Sequence, residues 1–154
     1  MKIERKSTSL IDNKEKNRIF NFYKKYFSPH HWNKKYFNQF TKDNQRQSLI
    51  LVAETNSNNL AGLILGRRDK NNKYFFNLSI IVVDFKYRKK GIATKLMKEL
   101  ISNLSKGKTK KIIIHFREKN NLKNFYQKFG FCNFKIIGKY NNGDNKCFME
   151  LKIV

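Results

Sequence analysis

The stretch VVDFKYRKKGIA, residues 82–93, decides the fold. An apolar, strand-forming segment ends at Val83, a basic turn containing Gly91 follows, and residues 92–104 then carry apolar side chains at helical spacing. The N–H groups of such a turn point outward and the helix N-terminus adds partial positive charge, which is typical of a pyrophosphate site. Gly91 lets an anion approach the backbone, and Arg88 can bind that anion through two hydrogen bonds.

Apolar periodicity predicts further strands and helices on both sides of this stretch. Strands are expected over residues 2–10, 48–54, 60–68, 74–83, 110–116, 131–140 and 146–153, and helices over 12–27, 92–104, 121–129 and around Tyr36, Phe37 and Phe40. Asp12 is the expected N-cap of the first helix. The order β, α, α, β, β, β, α, β, α, β, β predicts an α/β (α+β) protein, in which helices cover a mixed sheet.

Length and composition favour one domain over residues 1–154, since 154 residues with 40% hydrophobic content suffice for one core. We expect no transmembrane helix, because no run approaches about 20 apolar residues. The N-terminus lacks an apolar signal core, so a cytoplasmic protein is expected. Cys132 and Cys147 lie in apolar, strand-like runs and are predicted to be buried, reduced thiols.

The net charge of +23 has two interpretations. Such a balance favours contact with a ribosome, a nucleic acid or another polyanion through a basic surface. The basic pairs are scattered along the chain and Asn is also abundant, so a low-GC genome is the alternative explanation. The sequence leaves both open.

A second motif, NFYQKFGF over residues 124–131, accompanies the basic turn. Together the two segments resemble the GNAT acetyltransferases, whose pattern Arg/Gln-x-x-Gly-x-Gly/Ala matches residues 88–93. The resemblance covers essentially the whole chain. It implies a mixed, mostly antiparallel sheet of about seven strands with about four helices, in which strands 74–83 and 110–116 run parallel and splay apart. Acetyl-CoA would lie in that gap as the cosubstrate, and no metal is expected.

The same resemblance assigns residues to the coenzyme. Backbone groups near Val82 and Val83 would meet the pantetheine and thioester, and a backbone N–H near Val83 would stabilise the developing oxyanion. The turn over residues 88–94 would hold the diphosphate. The full expected set is Val82, Val83, Arg88, Lys89, Lys90, Gly91, Ile92, Ala93, Thr94 and Asn120.

His115 and Tyr126 are the candidate catalytic residues. His115 stands near the end of a central strand, where α/β sites gather, and an imidazole with a pKa of about 6.5 can take a proton from an amine at neutral pH. By resemblance, the Tyr126 hydroxyl lies near the coenzyme sulfur and protonates the departing thiolate. Glu54 is the alternative base, and Asp84 is expected to be an exposed turn residue.

The sequence is most similar to the N-alpha-acetyltransferase branch of that family. The resemblance rests on IHFR over residues 114–117, Asn120, and YNNGD over residues 140–144. SPHHWN, residues 28–33, resembles the branch's loop that cups the first residue of a substrate. The implied acceptor is the α-amine of a protein N-terminus. The acceptor side would be lined by Pro29, Trp32, Tyr36 and Tyr140.

Departures from the branch pattern keep other acceptors open. Ser28 and Trp32 replace the loop's Phe and Tyr, and Asn77 stands where a catalytic Tyr is common. One alternative is a small-molecule amine acetyltransferase acting on an amino-sugar phosphate, an acceptor that the positive charge favours. Another is a non-catalytic module that binds CoA or nucleic acid.

Overall fold

A computed structural model describes residues 1–7 and 10–154. Within these residues, seven strands form one sheet in the order β1-β2-β3-β4-β5-β7-β6. The strands are β1 (Lys2–Lys6), β2 (Leu49–Glu54), β3 (Leu60–Arg68), β4 (Phe75–Val83), β5 (Lys111–Arg117), β6 (Cys132–Lys139) and β7 (Asn145–Lys152). The helices are α1 (Asn13–Phe27), α2 (Lys34–Thr41), α3 (Ile92–Ser105) and α4 (Lys123–Gln127), with 3₁₀ turns at Phe85–Tyr87 and Glu118–Asn120.

The order of elements and the mixed architecture confirm the sequence prediction. The Asp12 side chain caps α1 by accepting a hydrogen bond from the Glu15 amide at 2.8 Å. The strand predicted over residues 2–10 ends at Lys6, and Thr8 and Ser9 lie outside the described residues.

Helices cover both faces of the first half of the sheet. On one face α3 packs with fully buried side chains such as Leu96 and Leu100, and on the other α1 and α2 bury Ile19 and Phe37. Every residue of β2 is buried. This explains the strand's continuous apolar run, because a strand covered on both faces has no solvent-exposed side on which polar residues would be favourable.

A β-bulge in β4 changes which side chains face which helices. The register against β3 shifts by one residue and leaves Ser79 as the extra residue. Before the bulge, Phe76 and Leu78 pack on the α3 face; after it, Ile80 and Val82 pack on the α1 face. The bulge therefore turns the other side chains at the end of β4 toward α3.

The parallel pair β4 and β5 separates part-way along its length. Residues 75–78 of β4 pair with residues 111–114 of β5, and no pairing follows. Beyond that point β4 stays paired with β3 as far as Val83, while β5 stays paired with β7 as far as Arg117. A gap therefore opens inside the sheet, which confirms the predicted splay.

Two predictions about burial are wrong. Cys132 is exposed, because it begins β6, an edge strand whose residues are mostly exposed; only Cys147 is buried. Asp84 is 7% exposed, not an exposed turn residue. Its carboxylate accepts a hydrogen bond from the Lys86 amide at 2.9 Å and lies 3.6 Å from the Lys25 ammonium, so it stabilises the turn after β4.

Across the described ranges, no helix combines the length and the apolar character that crossing a bilayer requires.

Candidate active site

A cleft of about 550 Å³ opens where β4 and β5 diverge, and we call it the splay cleft. The last turn of α1, the end of β4, the start of α3 and the approach to α4 form its walls. The lining residues are Tyr26, Phe27, Ile81, Val82, Val83, Arg88, Ala93, Asn120, Leu122 and Phe125. Five residues that the sequence assigned to the coenzyme thus line one cleft, although they come from four separate segments.

The end of β4 presents to this cleft backbone groups that no described strand pairs with. The Asp84 amide donates to the Ala61 carbonyl at 2.8 Å, so Asp84 points its backbone groups at β3. Backbone groups alternate in direction along a strand, and those of Val83 therefore point toward β5. By the same alternation the Ile81 groups also point there, where β5 has moved away. An extended ligand could pair with Ile81 and Val83 as an additional strand.

The turn after β4 leaves the N-terminus of α3 uncapped. Lys89 and Gly91 both adopt positive φ, 62° and 78°, and no side chain caps the helix at Gly91. A Cβ built on Gly91 would meet no atom within 4 Å, so the backbone there is open to an approaching group. The first N–H groups of α3 lack partners within the helix, and an anion satisfies them well.

Arg88 lies across the end of β4. Its Nε donates a hydrogen bond to the Val83 carbonyl at 3.0 Å, and its guanidinium carbon lies 6.0 Å from the centre of the Tyr26 ring. An anion at the turn would compete for this guanidinium and release the Val83 carbonyl. The strand edge without a partner strand, the uncapped helix and the apolar walls together fit an extended chain that ends in a pyrophosphate.

The other residues assigned to the coenzyme do not line the cleft with their side chains. Ile92 is 3% exposed and packs in the core, so only its backbone can serve a ligand. Lys89 and Lys90 are exposed, and Thr94 is half-buried in the first turn of α3.

His115 lies on the open face of β5, opposite Ile114 and Phe116. It is in register with Phe148 of β7, with 5.8 Å between the ring centres. The side chain stays exposed, yet protein atoms cover part of the ring. This partial desolvation, together with the positive charge of Lys146, lowers the pKa of His115 below its ordinary value. The imidazole is therefore mostly neutral at pH 7, as a general base must be.

Tyr126 lies in the core beside the splay cleft. The side chain is 3% exposed, and its ring centre lies between 5.3 and 5.6 Å from those of Phe116, Phe125 and Phe131. No residue in the described ranges forms a hydrogen bond with its hydroxyl. Burial, with a smaller contribution from Tyr140, raises the pKa of Tyr126 well above that of a free phenol. The group keeps its proton at every working pH.

Glu54 is held by two cations. Its carboxylate lies 3.0 Å from Arg18 Nη2 and 3.3 Å from Lys6 Nζ. Burial opposes its ionisation, but the hydrogen bonds and charges of Arg18 and Lys6 outweigh that effect and lower the pKa of Glu54. It is therefore a weaker base than a free carboxylate, and β2 lies two strands away from β4.

The expected acceptor residues fall into two groups. Trp32 packs on Phe40 at 4.8 Å and on Tyr23 at 5.7 Å, and Tyr36, which is 41% exposed, packs edge-on against Trp32. Pro29 is exposed in the preceding loop. Tyr23 also stacks on Phe27 at 5.0 Å. A continuous aromatic cluster therefore runs from the cleft wall to Trp32 and Tyr36.

Tyr140 approaches the site from the other side, at the turn between β6 and β7. The Arg117 guanidinium lies 4.0 Å above the Tyr140 ring and is fixed by an ion pair with Asp144 at 3.0 Å. Tyr140 is near enough to Tyr126 to influence the pKa of that phenol.

Sequence reasoning missed five cleft residues, namely Tyr26, Phe27, Ile81, Leu122 and Phe125. In the sequence, Tyr26 and Phe27 belong to the apolar stripe of α1. Their position in its last turn, just before the loop over residues 28–33, could have indicated that they lie near the site. No pattern in the sequence reveals the bulge that brings Ile81 to the cleft.

The sequence over residues 11–151 matches the model of the acetyltransferase (GNAT) domain family. The chain belongs to the GNAT acetyltransferase family. A search of curated protein sequences finds no significant match. Membership makes this protein an N-acetyltransferase with a fold that uses acetyl-CoA.

Solved structures share the GNAT fold over nearly the whole chain. The ribosomal-protein-S18-alanine N-acetyltransferase from Escherichia coli has 17% identity and a TM-score of 0.76, covering 99% of this chain and 94% of that chain. Ard1 from Thermoplasma volcanium has 14% identity and a TM-score of 0.79, covering 100% and 99%. A chain of the NatC complex bound to Gag peptide and CoA has 19% identity and a TM-score of 0.79, covering 100% of both chains. At these identities the likeness confirms the GNAT fold alone.

In this GNAT protein, Gly91→Asp should weaken CoA binding far more than Gly91→Asn. Both side chains tolerate positive φ and are nearly equal in size, so the two variants differ mainly in charge. A carboxylate beside a bound diphosphate should raise the Kd for CoA about 10- to 100-fold over the Asn variant. Isothermal titration calorimetry with CoA measures the difference. Equal affinities in the two variants would show that no anion binds at this turn.

Proposed function

We propose that this protein acetylates the α-amine of protein N-termini with acetyl-CoA as the donor. The observation that carries the proposal is the position of His115. It stands just past the point where β5 leaves β4, on the face that α1 and α2 leave open. A base there serves an amine that enters from the open face, while the splay cleft holds the acyl donor.

Each residue then has a defined part. Bound acetyl-CoA supplies an acetyl group activated as a thioester. The backbone of Ile81 and Val83 and the N-terminus of α3 hold and orient the donor, and a backbone N–H near Val83 donates to the developing oxyanion. His115 removes a proton from the ammonium, directly or through water, which frees the amine to form the new C–N bond. Tyr126 donates a proton to the sulfur as the C–S bond breaks.

The lower pKa of an α-ammonium favours an α-amine over a lysine side chain as the acceptor. An α-ammonium has a pKa of about 8, whereas that of lysine is about 10.4. Proton transfer to a base with a pKa below that of ordinary histidine is uphill from both groups, modestly from the α-ammonium and by over two further pKa units from lysine. The aromatic cluster around Trp32 and Tyr36 offers an apolar surface for a first side chain.

Two of the similar structures support a protein acceptor. One is named for the ribosomal protein S18 alanine that it acetylates, and another contains a Gag peptide together with CoA. We extend this acceptor class to the present chain, in agreement with its SPHHWN loop and its IHFR strand.

An amino-sugar phosphate is the second candidate acceptor. The net charge of +23 favours an anionic small molecule, and Lys146 lies near enough to His115 to lower its pKa. The same charge disfavours a polyamine, because like charges repel.

Mass spectrometry of reaction products separates these acceptors. The purified protein is incubated with acetyl-CoA and peptides that vary in their first residue and contain internal lysines, with glucosamine 6-phosphate in a parallel reaction. We expect acetylation confined to α-amines, with a preference for apolar first residues. Products found only on the sugar phosphate or on lysine side chains would refute the proposed acceptor while leaving the enzyme class intact.

A further inference from the structure

A second concave site lies at the far end of α3 from the splay cleft. Its volume is about 490 Å³, and we call it the Arg68 pocket after one of its lining residues, which include Arg5, Gln47, Arg68, Phe76, Leu104 and Lys106. The splay cleft begins at the N-terminus of α3 and this pocket lies at its C-terminus. A helix of 14 residues spans about 20 Å, so the two sites are separate.

The lining of this pocket is positively charged. Arg5, Arg68 and Lys106 contribute three cations, and the lining residues include no Asp or Glu. Asn and Gln side chains provide most of the remaining polar groups. Three cations around one concavity repel one another unless an anion is present, and such a site concentrates anions from solution.

Arg68 differs from three other half-buried arginines of the chain, whereas Arg46 resembles it in donating from its side chain only to a neutral acceptor, the Arg68 carbonyl. Arg18, Arg67 and Arg117 each donate to a carboxylate, at 2.9 Å or 3.0 Å. Arg68 instead donates from Nε to the Gln47 side-chain oxygen at 3.1 Å and from Nη1 to the Thr109 hydroxyl. Both acceptors are neutral. Within the described residues, the second terminal nitrogen of Arg68 has no acceptor.

Burial makes this unpaired charge costly. The Arg68 guanidinium is half-buried, and desolvation lowers its pKa. A charge withdrawn from water without an opposite charge destabilises the folded state. A bound anion would supply the missing partner, and a guanidinium suits the paired oxygens of a phosphate.

The floor of the pocket is apolar. Phe76 is 1% exposed, and Leu49 and Leu104 are also buried. The volume greatly exceeds the share of about 30 Å³ that a water molecule occupies in the liquid and falls within the range of small-molecule sites. We propose that the Arg68 pocket binds a phosphorylated small molecule, with the phosphate on Arg5, Arg68 and Lys106 and an apolar moiety over Phe76.

Calorimetry on CoA-loaded protein tests this site apart from the splay cleft. Saturating CoA occupies the turn that could itself bind phosphate, and inorganic phosphate and phenyl phosphate are then titrated at constant ionic strength. We expect both to bind, and phenyl phosphate to bind more tightly. Arg68→Gln should weaken phosphate binding about tenfold or more, since hydrogen bonds to a charged group are lost. Lys98→Gln removes one exposed cation of α3 outside the pocket and should leave binding unchanged.

Several outcomes would overturn the proposal. One is loss of phosphate binding once CoA is present, which would place the anion at the turn before α3. Another is equal weakening by Arg68→Gln and Lys98→Gln, which would indicate general charge attraction. A third is binding of a short RNA but of neither phosphate. If Arg68→Gln does not fold, the exposed Arg5→Gln and Lys106→Gln variants replace it. None of these readouts depends on acetyl transfer, so the proposed function can fail separately.

Discussion

His115→Ala should lower kcat by about 10²- to 10⁴-fold, the usual contribution of a general base, while the Kd for CoA stays unchanged. The imidazole stands on the open face of β5 and outside the lining of the splay cleft, so its removal should affect proton transfer and spare donor binding. Steady-state kinetics with an acceptor peptide and calorimetry with CoA measure the two quantities.

Glu54→Gln is the matched control for His115→Ala. That substitution disrupts the ion pairs with Arg18 and Lys6, so it should lower the melting temperature and leave kcat nearly unchanged. The reverse pattern, with kcat lost in Glu54→Gln and kept in His115→Ala, would assign the base to Glu54.

The pH profile provides an independent test of His115. Only the neutral imidazole accepts a proton, so kcat/KM should fall as the pH drops through the pKa of His115. Because desolvation and Lys146 lower that pKa, the fall should lie below the ordinary value of about 6.5. Lys146→Gln removes a positive charge, which raises the pKa and should shift the acid limb to higher pH. An acid limb that does not move would exclude His115 as the titrating group.

Tyr126→Phe should reduce kcat by about 10²-fold without loss of stability. The Phe ring preserves the packing on Phe116, Phe125 and Phe131. The hydroxyl has no hydrogen-bond partner in the described part of the chain, so its removal breaks no structural contact there and thermal denaturation should be unaffected. Activity lost from a protein of unchanged melting temperature would mark the hydroxyl as catalytic.

Tyr140→Phe removes the hydroxyl of the neighbouring residue and serves as the control for Tyr126→Phe. We expect it to alter KM more than kcat, because Tyr140 was assigned to the acceptor side. Full activity in Tyr126→Phe would show that Tyr126 serves only in packing and would contradict its proposed role as the acid.

The raised pKa of Tyr126 also limits how this acid can act. A free phenol has a pKa of about 10 and a free thiol about 8.5, so the proton transfer is already uphill before burial raises the first value. The apolar surroundings disfavour a thiolate as well, which raises the pKa of the sulfur in the same direction. The proton should therefore move only late, as the C–S bond breaks and charge accumulates on sulfur.

Much of the fold could be predicted because local patterns determine it. The apolar stripe of α1, its Asp12 cap and the basic turn before α3 are all signals contained within a few residues. The parallel, splayed pair of strands followed from the resemblance to a known family. The bulge at Ser79 could not be predicted, because it depends on how β4 matches β3 in three dimensions.

The site was harder to predict than the fold. His115 and Tyr126 stood out by residue type, but the position of His115 beside the splay depends on strand register and that of Tyr126 on how α4 packs in the core. The burial of Asp84 was predicted wrongly because a carboxylate after a strand is usually solvated. Here the Asp84 side chain folds back and caps the next turn. The Arg68 pocket is assembled from β1, the start of β2 and the loop that precedes it, β3, β4 and the end of α3, so no contiguous segment could reveal it.

The short pairing between β4 and β5 gives the sheet a built-in line of weakness. Four residues on each strand join one half of the sheet, β1 to β4, to the other half, β5 to β7. A ligand that pairs with β4 and β5 where they have separated would connect the two halves of the sheet and extend the hydrogen bonding between them. The donor would then act as part of the scaffold, and amide protons along β4 and β5 should exchange more slowly once it is bound. The site would therefore become rigid only once the donor is bound between β4 and β5, before the acceptor enters.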